Sequence, residues 1–442
     1  MLQTLLNAFK NKDIRRKILI TFGLLFIYRV GCYIPIPGIS LEVYNIVNAT
    51  GAQENTMLML LSSLSGGALA NGALFAIGIA PYINASIIIQ LLTVAIPKLE
   101  QWSKQGDEGK RKINITTRIV TLGLAMAQAA GIVVNWAQNG GIYAIFGEAT
   151  PIPLVAVFVG VILVAGAMLT MWIGERITEL GIGNGISLLI FVGILSSAGL
   201  AIIAMAQSVS TDDTVVWQII GFFAMVILIF AFIVFIDSAE RRIPIQYAKQ
   251  IKGRKQYGGQ STFIPIKINA AGVLPIIFAN ALISFPQLIM SMFPPADFSA
   301  GYGAFYAWWQ GNMGVGAWLY SILVGLLILF FSYFYAQIQF KPEEVARNIQ
   351  QYGGFIPGIR PGKPTQEYLT RVTRRITFWG ALFLAFIAIV PSLIFLIVFK
   401  QGSPLLNGFS ATGMLIVVSV ALEFEKQLQS QLMMKQYKGF LK

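Results

Sequence analysis

The stretch LFAIGIAPYINASIIIQLLTVAI, residues 74–96, decides the fold because it contains no Asp, Glu, Lys or Arg. A helix that crosses the hydrocarbon core of a membrane needs about 20 predominantly apolar residues. Charge-free stretches of similar or greater length occupy residues 214–236, 268–296, 298–340 and 376–399. The sequence therefore predicts an all-α polytopic membrane protein.

The composition agrees with a membrane protein and argues against catalysis. Charged residues make up 12% of the 442 residues, whereas a soluble domain carries about 25%. The chain has no histidine, the commonest general base and metal ligand. It also lacks a Walker-type glycine loop, and its single cysteine, Cys32, excludes an internal disulfide. We therefore predict no enzymatic activity, no metal and no cofactor.

Apolar runs predict ten transmembrane helices, five in each half of the chain. The N-terminal half, residues 1–206, contains the predicted spans Ile18–Tyr33, Leu74–Ile96, Ile115–Val134, Leu154–Ile173 and Ile186–Met205. The C-terminal half, residues 207–442, contains Val215–Phe235, Ala270–Met292, Gly316–Tyr335, Phe378–Phe399 and Leu405–Leu422.

The charges alternate from one side of the predicted membrane to the other. Of the 32 Lys and Arg residues, all except Arg29 and Lys400 lie in the two terminal segments and in alternate connections, with Arg118 in the first turn of the third span that follows such a connection. The intervening connections carry mostly acidic residues, namely Glu42, Glu54, Glu148, Asp212, Asp213 and Asp297. Because basic residues are retained in the cytoplasm, this pattern predicts that both termini are cytoplasmic and that the number of spans is even. With five spans per half, the second half is inserted upside down, which permits an inverted repeat with a pathway between the halves.

Residues 57–71, MLMLLSSLSGGALAN, are apolar but too short to cross a membrane. They are separated from the second span by Gly66, Gly67 and Gly72. Two interpretations remain open from the residues alone. The segment could re-enter the membrane where protein or a water-filled cavity receives it, or it could lie as an interfacial helix on the outer surface.

Two long cytoplasmic loops, residues 238–267 and 337–376, are rich in glycine, proline and basic residues. Turn residues at this density indicate structured projections. Their positive charge could serve topology and attract anionic lipid, or it could dock a large acidic partner. Charge alone does not distinguish these uses.

The residue types in the spans narrow the function. A secondary transporter usually keeps ionisable residues in the membrane for its substrate or coupling ion. Here Arg29 is the one firm intramembrane charge, and its long side chain could reach the interface. The residue types therefore favour a pore without titratable lining or a structural scaffold. A small-solute transporter or channel is kept as the alternative function.

Several segments resemble, in the same order, the SecY family, whose members are the central subunit of the bacterial Sec translocon. They are RKILITFGLLFIYRVGCYIPIPGI near the start, FAIGIAPYINASIIIQ (75–90), TELGIGNGISLLIFVGI (178–194), RRIPIQYAKQIKGRKQYGGQSTFIPIKINAAGVLPIIFA (241–279) and NIQQYGGFIPGIRPGKPT (348–365). The resemblance covers nearly the whole chain and is weakest in the outer loops. It implies a channel in the plasma membrane that carries polypeptides bearing signal sequences across the membrane, or releases them sideways into membrane lipid.

The resemblance also implies roles for particular residues around a central pore. A ring of bulky aliphatic side chains would seal the pore at Ile79, Ile83, Ile190, Ile194, Ile277 and Ile416. A re-entrant plug helix would include Met57, Leu60, Leu61, Leu64, Gly66 and Gly67. A lateral gate would open between the second and seventh spans near Asn84, Ser86, Gln90, Asn280 and Phe285.

The same resemblance implies partners on the cytoplasmic side and in the membrane. The ribosome and the motor ATPase SecA would dock at Arg241, Arg242, Lys252, Arg254, Lys255 and Arg360. The small subunits SecE, which would clamp the two halves, and SecG would complete the complex.

Overall fold

The structure is a computed structural model that describes residues 8–40, 62, 65–138, 140–143, 151–208, 214–247, 250–252, 255–257, 261–269, 272–292, 300–313, 317–398 and 411–440. Most of these residues are helical. The helices are α1 (Lys12–Gly31), α2 (Ala80–Ala95), α3 (Pro97–Lys104), α4 (Asp107–Gln138), α5 (Ile152–Leu180), α6 (Gly185–Ser208), α7 (Thr214–Asp237), α8 (Leu274–Met292), α9 (Ala300–Asn312), α10 (Trp318–Gln339), α11 (Pro342–Gln351), α12 (Lys363–Val398) and α13 (Ala411–Phe440). The strands are β1 (Glu240–Tyr247), β2 (Gln250–Lys252), β3 (Lys255–Tyr257), β4 (Ser261–Lys267) and β5 (Gly354–Phe355).

Each predicted span overlaps one of these helices, in the order α1, α2, α4, α5, α6, α7, α8, α10, α12 and α13. Within the described residues, four helices are long and apolar enough to cross a membrane: α4, α5, the helix that begins at Trp318, and the part of α12 from Lys363 to Val390. The pair α2 and α3, bent by 100°, counts as a fifth if it is one span. That all ten helices cross the membrane stays a prediction.

The second span begins later than its apolar sequence predicts. Its helix starts at Ala80 rather than Leu74, and Pro81 lies in the first turn, where a missing N–H costs nothing. Gly78 just before it has a φ of 62°, a left-handed conformation that interrupts a helix. The residues before α2 are therefore free to form the tight turns that connect it to residues 65–73.

Among the described residues, the main contacts between the two halves form two seams. On one side α8 of the C-terminal half packs against α2 and α4, and on the other side α13 packs against α6. Buried side chains from both halves belong to one continuous hydrophobic cluster. A second cluster, made only by the N-terminal half, holds α4 and α5 around the fully buried Trp136. The central cluster therefore lies where the halves meet.

We call the described residues of the two long basic loops (240–247, 250–252, 255–257, 261–267 and 340–376) the cytoplasmic unit, after the side of the membrane that is predicted for them. Its sheet has the strand order β4-β1-β5, with β1 antiparallel to β4 along seven residue pairs from Glu240↔Lys267 to Gln246↔Ser261. β5 extends β1 only at Gln246 and Tyr247. Ile243, Ile245 and Ile266 from the sheet pack against α11 and the start of α12. The glycine and proline content had indicated projections but not this sheet.

The described parts of the two terminal helices meet at one end of the molecule. Ala8, Ile14 and Ile18 near the start of the chain pack against Leu428 of α13 and against Ile182 in the α5–α6 connection. At the other end, Ile39 forms a β-bridge with Ile142 after α4. The sides of the membrane to which the connections belong stay a prediction.

Candidate pore and its closing elements

The six isoleucines predicted to ring the pore are all buried in the central hydrophobic cluster. Their exposed fractions lie between 2% and 9%, and they are Ile79, Ile83, Ile190, Ile194, Ile277 and Ile416. They come from four separate helices, α2, α6, α8 and α13. Both halves of the chain therefore contribute branched aliphatic side chains to the same region.

Local geometry sets the positions of the ring residues on α2. Ile79 is the N-cap residue of the helix, and the Ile83 N–H donates to the Ile79 carbonyl at 3.1 Å. The two side chains therefore lie one turn apart on the same face. Isoleucine is stiff about its first side-chain torsion, so this pair presents a fixed apolar surface.

Gly66, which precedes α2, lies against α6, the helix that carries the predicted ring residues Ile190 and Ile194. A Cβ added at Gly66 would come within 3.1 Å of the Gly193 Cα, and Gly193 lies between two ring residues of α6. Gly66 and Gly67 have φ values of 68° and 86°, so both adopt a left-handed conformation that favours glycine. The other predicted plug residues, Met57, Leu60, Leu61 and Leu64, lie outside the described residues.

Arg29 contacts this same segment, although the sequence suggested only that it could reach the interface. Its Nη1 donates to the Gly66 carbonyl at 2.9 Å. Its Nη2 donates to the Tyr33 hydroxyl at 2.8 Å, and its guanidinium carbon lies 4.8 Å from the centre of the Tyr33 ring. The contact joins residues 37 positions apart, so no local pattern could have revealed it.

The predicted lateral gate residues lie on α2 and α8. Asn84 on α2 is buried, and Gln90 Nε2 donates to the Ser86 Oγ one turn away at 3.4 Å. Asn280 is partly buried on α8. Phe285 is on the same helix, but its side chain lies outside the described residues. The two helices are in contact, and that these polar groups face one another across the contact stays a prediction.

The described residues also contain an interhelical ion pair that sequence analysis missed. Arg118 on α4 holds Glu175 on α5 through two hydrogen bonds, from Nε at 3.0 Å and from Nη2 at 2.7 Å. This bidentate geometry is the strongest form of an arginine–carboxylate contact. Glu175 was overlooked because it sits in the last turns of an apolar helix beside Arg176 and Glu179.

The predicted docking residues lie on the cytoplasmic unit. Arg241 and Arg242 are exposed on β1, and the Arg242 guanidinium stacks 4.8 Å from the Phe263 ring centre. Arg360 is exposed after β5, and its carbonyl accepts a hydrogen bond from the Thr365 hydroxyl at 2.8 Å. Lys252 ends β2 and Lys255 begins β3, with their side chains outside the described residues, as is Arg254 altogether.

Comparison with known proteins places these features in a family. A sequence profile described as SecY matches residues 73–425. Relatives named Protein translocase subunit SecY include that of Corynebacterium glutamicum, 40% identical over 454 residues. Another is that of Streptomyces coelicolor, 42% identical over 454 residues. Both alignments cover 100% of this chain and 100% of the relative.

Solved structures share the fold at lower identity. One, described as showing that the SecY plug domain stabilises the closed translocation channel and maintains a membrane seal, has a TM-score of 0.63 and 19% identity. It covers 94% of this chain and 92% of that chain. Sec61 in the canine ribosome–channel complex has a TM-score of 0.58 and 18% identity, with the same coverage. The SecY profile matches most of the chain, and the two full-length relatives are 40% and 42% identical to it. The chain therefore belongs to the SecY family.

Proposed function

We propose that this chain forms a protein-conducting channel in the plasma membrane of a bacterium. It moves unfolded secretory polypeptides across the membrane and releases transmembrane segments sideways into lipid. The observation that carries this proposal is the burial, in one hydrophobic cluster, of the six isoleucines predicted to ring the pore, which come from four helices of both halves. Membership of the SecY family supports the same function, because its relatives are named as protein translocase subunits.

The ring explains how such a pore stays closed to ions. Water inside a constriction lined by aliphatic side chains finds no hydrogen-bond partners, so the constriction dries and blocks ion passage. A polypeptide can still part the side chains, because they are held by packing and not by covalent bonds. The plug, residues 57–71, adds a second seal, in agreement with the role described for the plug domain of a structural relative.

The seam between α2 and α8 serves as the lateral gate. Polar side chains in an apolar surrounding need partners across a helix interface, and Asn84, Ser86, Gln90 and Asn280 supply such groups at this seam. A hydrophobic signal sequence that wedges between the two helices replaces their contact with its own. The seam can therefore open towards lipid without unfolding either half.

The cytoplasmic unit is the docking site for the ribosome and for SecA. Arg241 and Arg242 lie on β1, and Arg360 lies in the loop between β5 and α12. The sheet, this loop and the start of α12 share a hydrophobic core, so the charges have a rigid base. Electrostatic complementarity of this kind sets partner choice and association rate. A structural relative was solved in a ribosome–channel complex. SecE and SecG would complete the assembly in the membrane.

Both termini are cytoplasmic in this proposal, and the halves are residues 1–206 and 207–442 with opposite orientation. The basic residues of alternate segments support this arrangement. The packing of the first described residues against α13 supports it too, since it brings the two ends of the chain to the same side.

Reconstitution tests the proposed function against the alternative of a small-solute transporter or channel. The complete complex, containing this chain with SecE and SecG, is placed in sealed vesicles with SecA, ATP and one secretory precursor. We expect the precursor to become protected from added protease only when its signal sequence is intact. Passage of small solutes without any protected precursor would contradict the proposal.

A further inference from the structure

We propose that Arg29 is a positioning residue that latches the end of the plug segment to the first span and against the ring helix. The inference rests on the proposed plug function and adds a residue that neither the family profile nor the ring argument assigns. Its basis is the contact between a charged side chain of α1 and the backbone of Gly66, a residue of the predicted plug segment.

Two neighbouring side chains of the first span hold consecutive carbonyls of this segment. The Arg29 Nη1 donates to the Gly66 carbonyl at 2.9 Å, and the Cys32 Sγ lies 3.7 Å from the Ser65 carbonyl as a weak donor. Because Arg29 and Cys32 are three residues apart at the end of α1, they share one face of the chain. Ser65 is 2% exposed and Cys32 is 1% exposed, so the contact is closed to solvent.

The segment has little room to move while this contact exists. A Cβ built at Gly66 would lie 2.6 Å from the Arg29 Nη1 and 3.1 Å from the Gly193 Cα. The Gly66 backbone therefore packs closely against both the guanidinium and α6, beside the predicted ring residues Ile190 and Ile194. Displacing the plug therefore requires breaking the hydrogen bond from Arg29.

The chemistry favours a strong bond at this place. An arginine within a span must find partners, because its charge is costly in an apolar surrounding. Hydrogen bonds from a charged donor are roughly twice as strong as those between neutral groups. The second bond, to the Tyr33 hydroxyl, orients the guanidinium so that Nη1 faces the carbonyl. The Arg29 guanidinium thereby obtains hydrogen-bond partners and at the same time fixes the position of Gly66 in the plug segment.

The native Cys32 provides the test, because it is the only cysteine in the chain and it lies beneath the Ser65 carbonyl. Resting complexes are treated from the outside with a membrane-impermeant thiol reagent, and labelling of this chain is followed over time. For Arg29→Gln we expect a labelling rate about tenfold above wild type, since a charge-assisted bond is lost. Resting ion conductance per channel should rise in parallel, while export of a normal precursor continues.

Two further variants separate a latch from general damage. Arg29→Lys keeps a charged donor and should therefore restore much of the protection of Cys32 from labelling. This expectation also holds if Arg29→Gln reaches the membrane poorly. Arg16→Gln removes the same charge at an exposed position of the same helix and should label as wild type. Wild-type labelling of Cys32 in Arg29→Gln, or equally fast labelling in Arg29→Lys and Arg29→Gln, would overturn the latch.

The ring variant Ile277→Asn distinguishes failure of the latch from failure of the proposed pore. If Ile277→Asn conducts ions at rest while Arg29→Gln neither labels faster nor conducts, the pore stands and the latch is wrong. If Ile277→Asn does not conduct, the ring is wrong, and the labelling of Cys32 still decides for or against the latch.

Discussion

Ile277→Asn is expected to raise the resting ion conductance of the channel about tenfold or more, and Ile416→Asn should act in the same direction. An amide in the ring gives water the donors and acceptors that the aliphatic side chains withhold, so the constriction wets. Burying an amide without full partners also destabilises the closed state by roughly 1–3 kcal/mol. A change of that size shifts a closed–open equilibrium by about tenfold or more. Single-channel recording in planar bilayers measures the effect.

The same variants should export precursors with defective signal sequences, because less driving force is needed to open the channel. Ile276→Asn is the matched control, since Ile276 is the neighbouring residue on α8 and is even more deeply buried. It should lower the amount of folded channel without raising conductance per channel. If Ile277→Asn and Ile276→Asn behave alike at equal membrane levels, Ile277 does not line the gate.

Arg360→Glu is expected to abolish SecA-driven export while leaving the channel folded and in the membrane. Arg360 is exposed on the cytoplasmic unit, and its loop is anchored by Ile356 in the core of that unit. Reversing a charge held out on a rigid base changes attraction for an acidic partner surface into repulsion. Export of a precursor into vesicles, at matched amounts of assembled complex, measures the loss.

Arg347→Glu is the control for this reversal, because Arg347 is exposed on α11 of the same unit and pairs with Glu343 at 3.3 Å. An exposed pair of this kind contributes little to stability, so export should stay near the wild-type rate. Wild-type export by Arg360→Glu would show that Arg360 has no docking role. Equal loss in both variants would point to net charge of the unit instead.

The arrangement of helices could be predicted because it follows from local sequence. Apolar runs such as residues 74–96 and 214–236 predict spans directly, and each predicted span overlaps a helix of the structure. The helix of the second span begins at Ala80 and not at the predicted Leu74. Hydropathy does not reveal that Gly78 and Pro81 interrupt a helix within an apolar sequence. The six ring residues were predicted from the family resemblance. Their residue type alone does not indicate a pore, because an isoleucine in a span more often faces lipid or a neighbouring helix.

The features that sequence analysis missed are contacts between distant residues. β1 pairs with β5 across about 100 residues of chain, and loop composition carries no signal for such a partner. Arg29 meets Gly66 across 37 positions, and Arg118 meets Glu175 across 57. Each of these charged residues was visible in the sequence, but its partner depends on how the helices pack.

The most direct test of the central claim is to trap a precursor in the channel and ask which side chains it touches. A photo-crosslinking residue is placed at Ile277 or, as the control, at Ile276, and a precursor is arrested during export. If the polypeptide passes through the ring, Ile277 should crosslink to the arrested chain, and Ile276 should not. Crosslinking at both positions equally, or at neither while export proceeds, would contradict a path through these isoleucines.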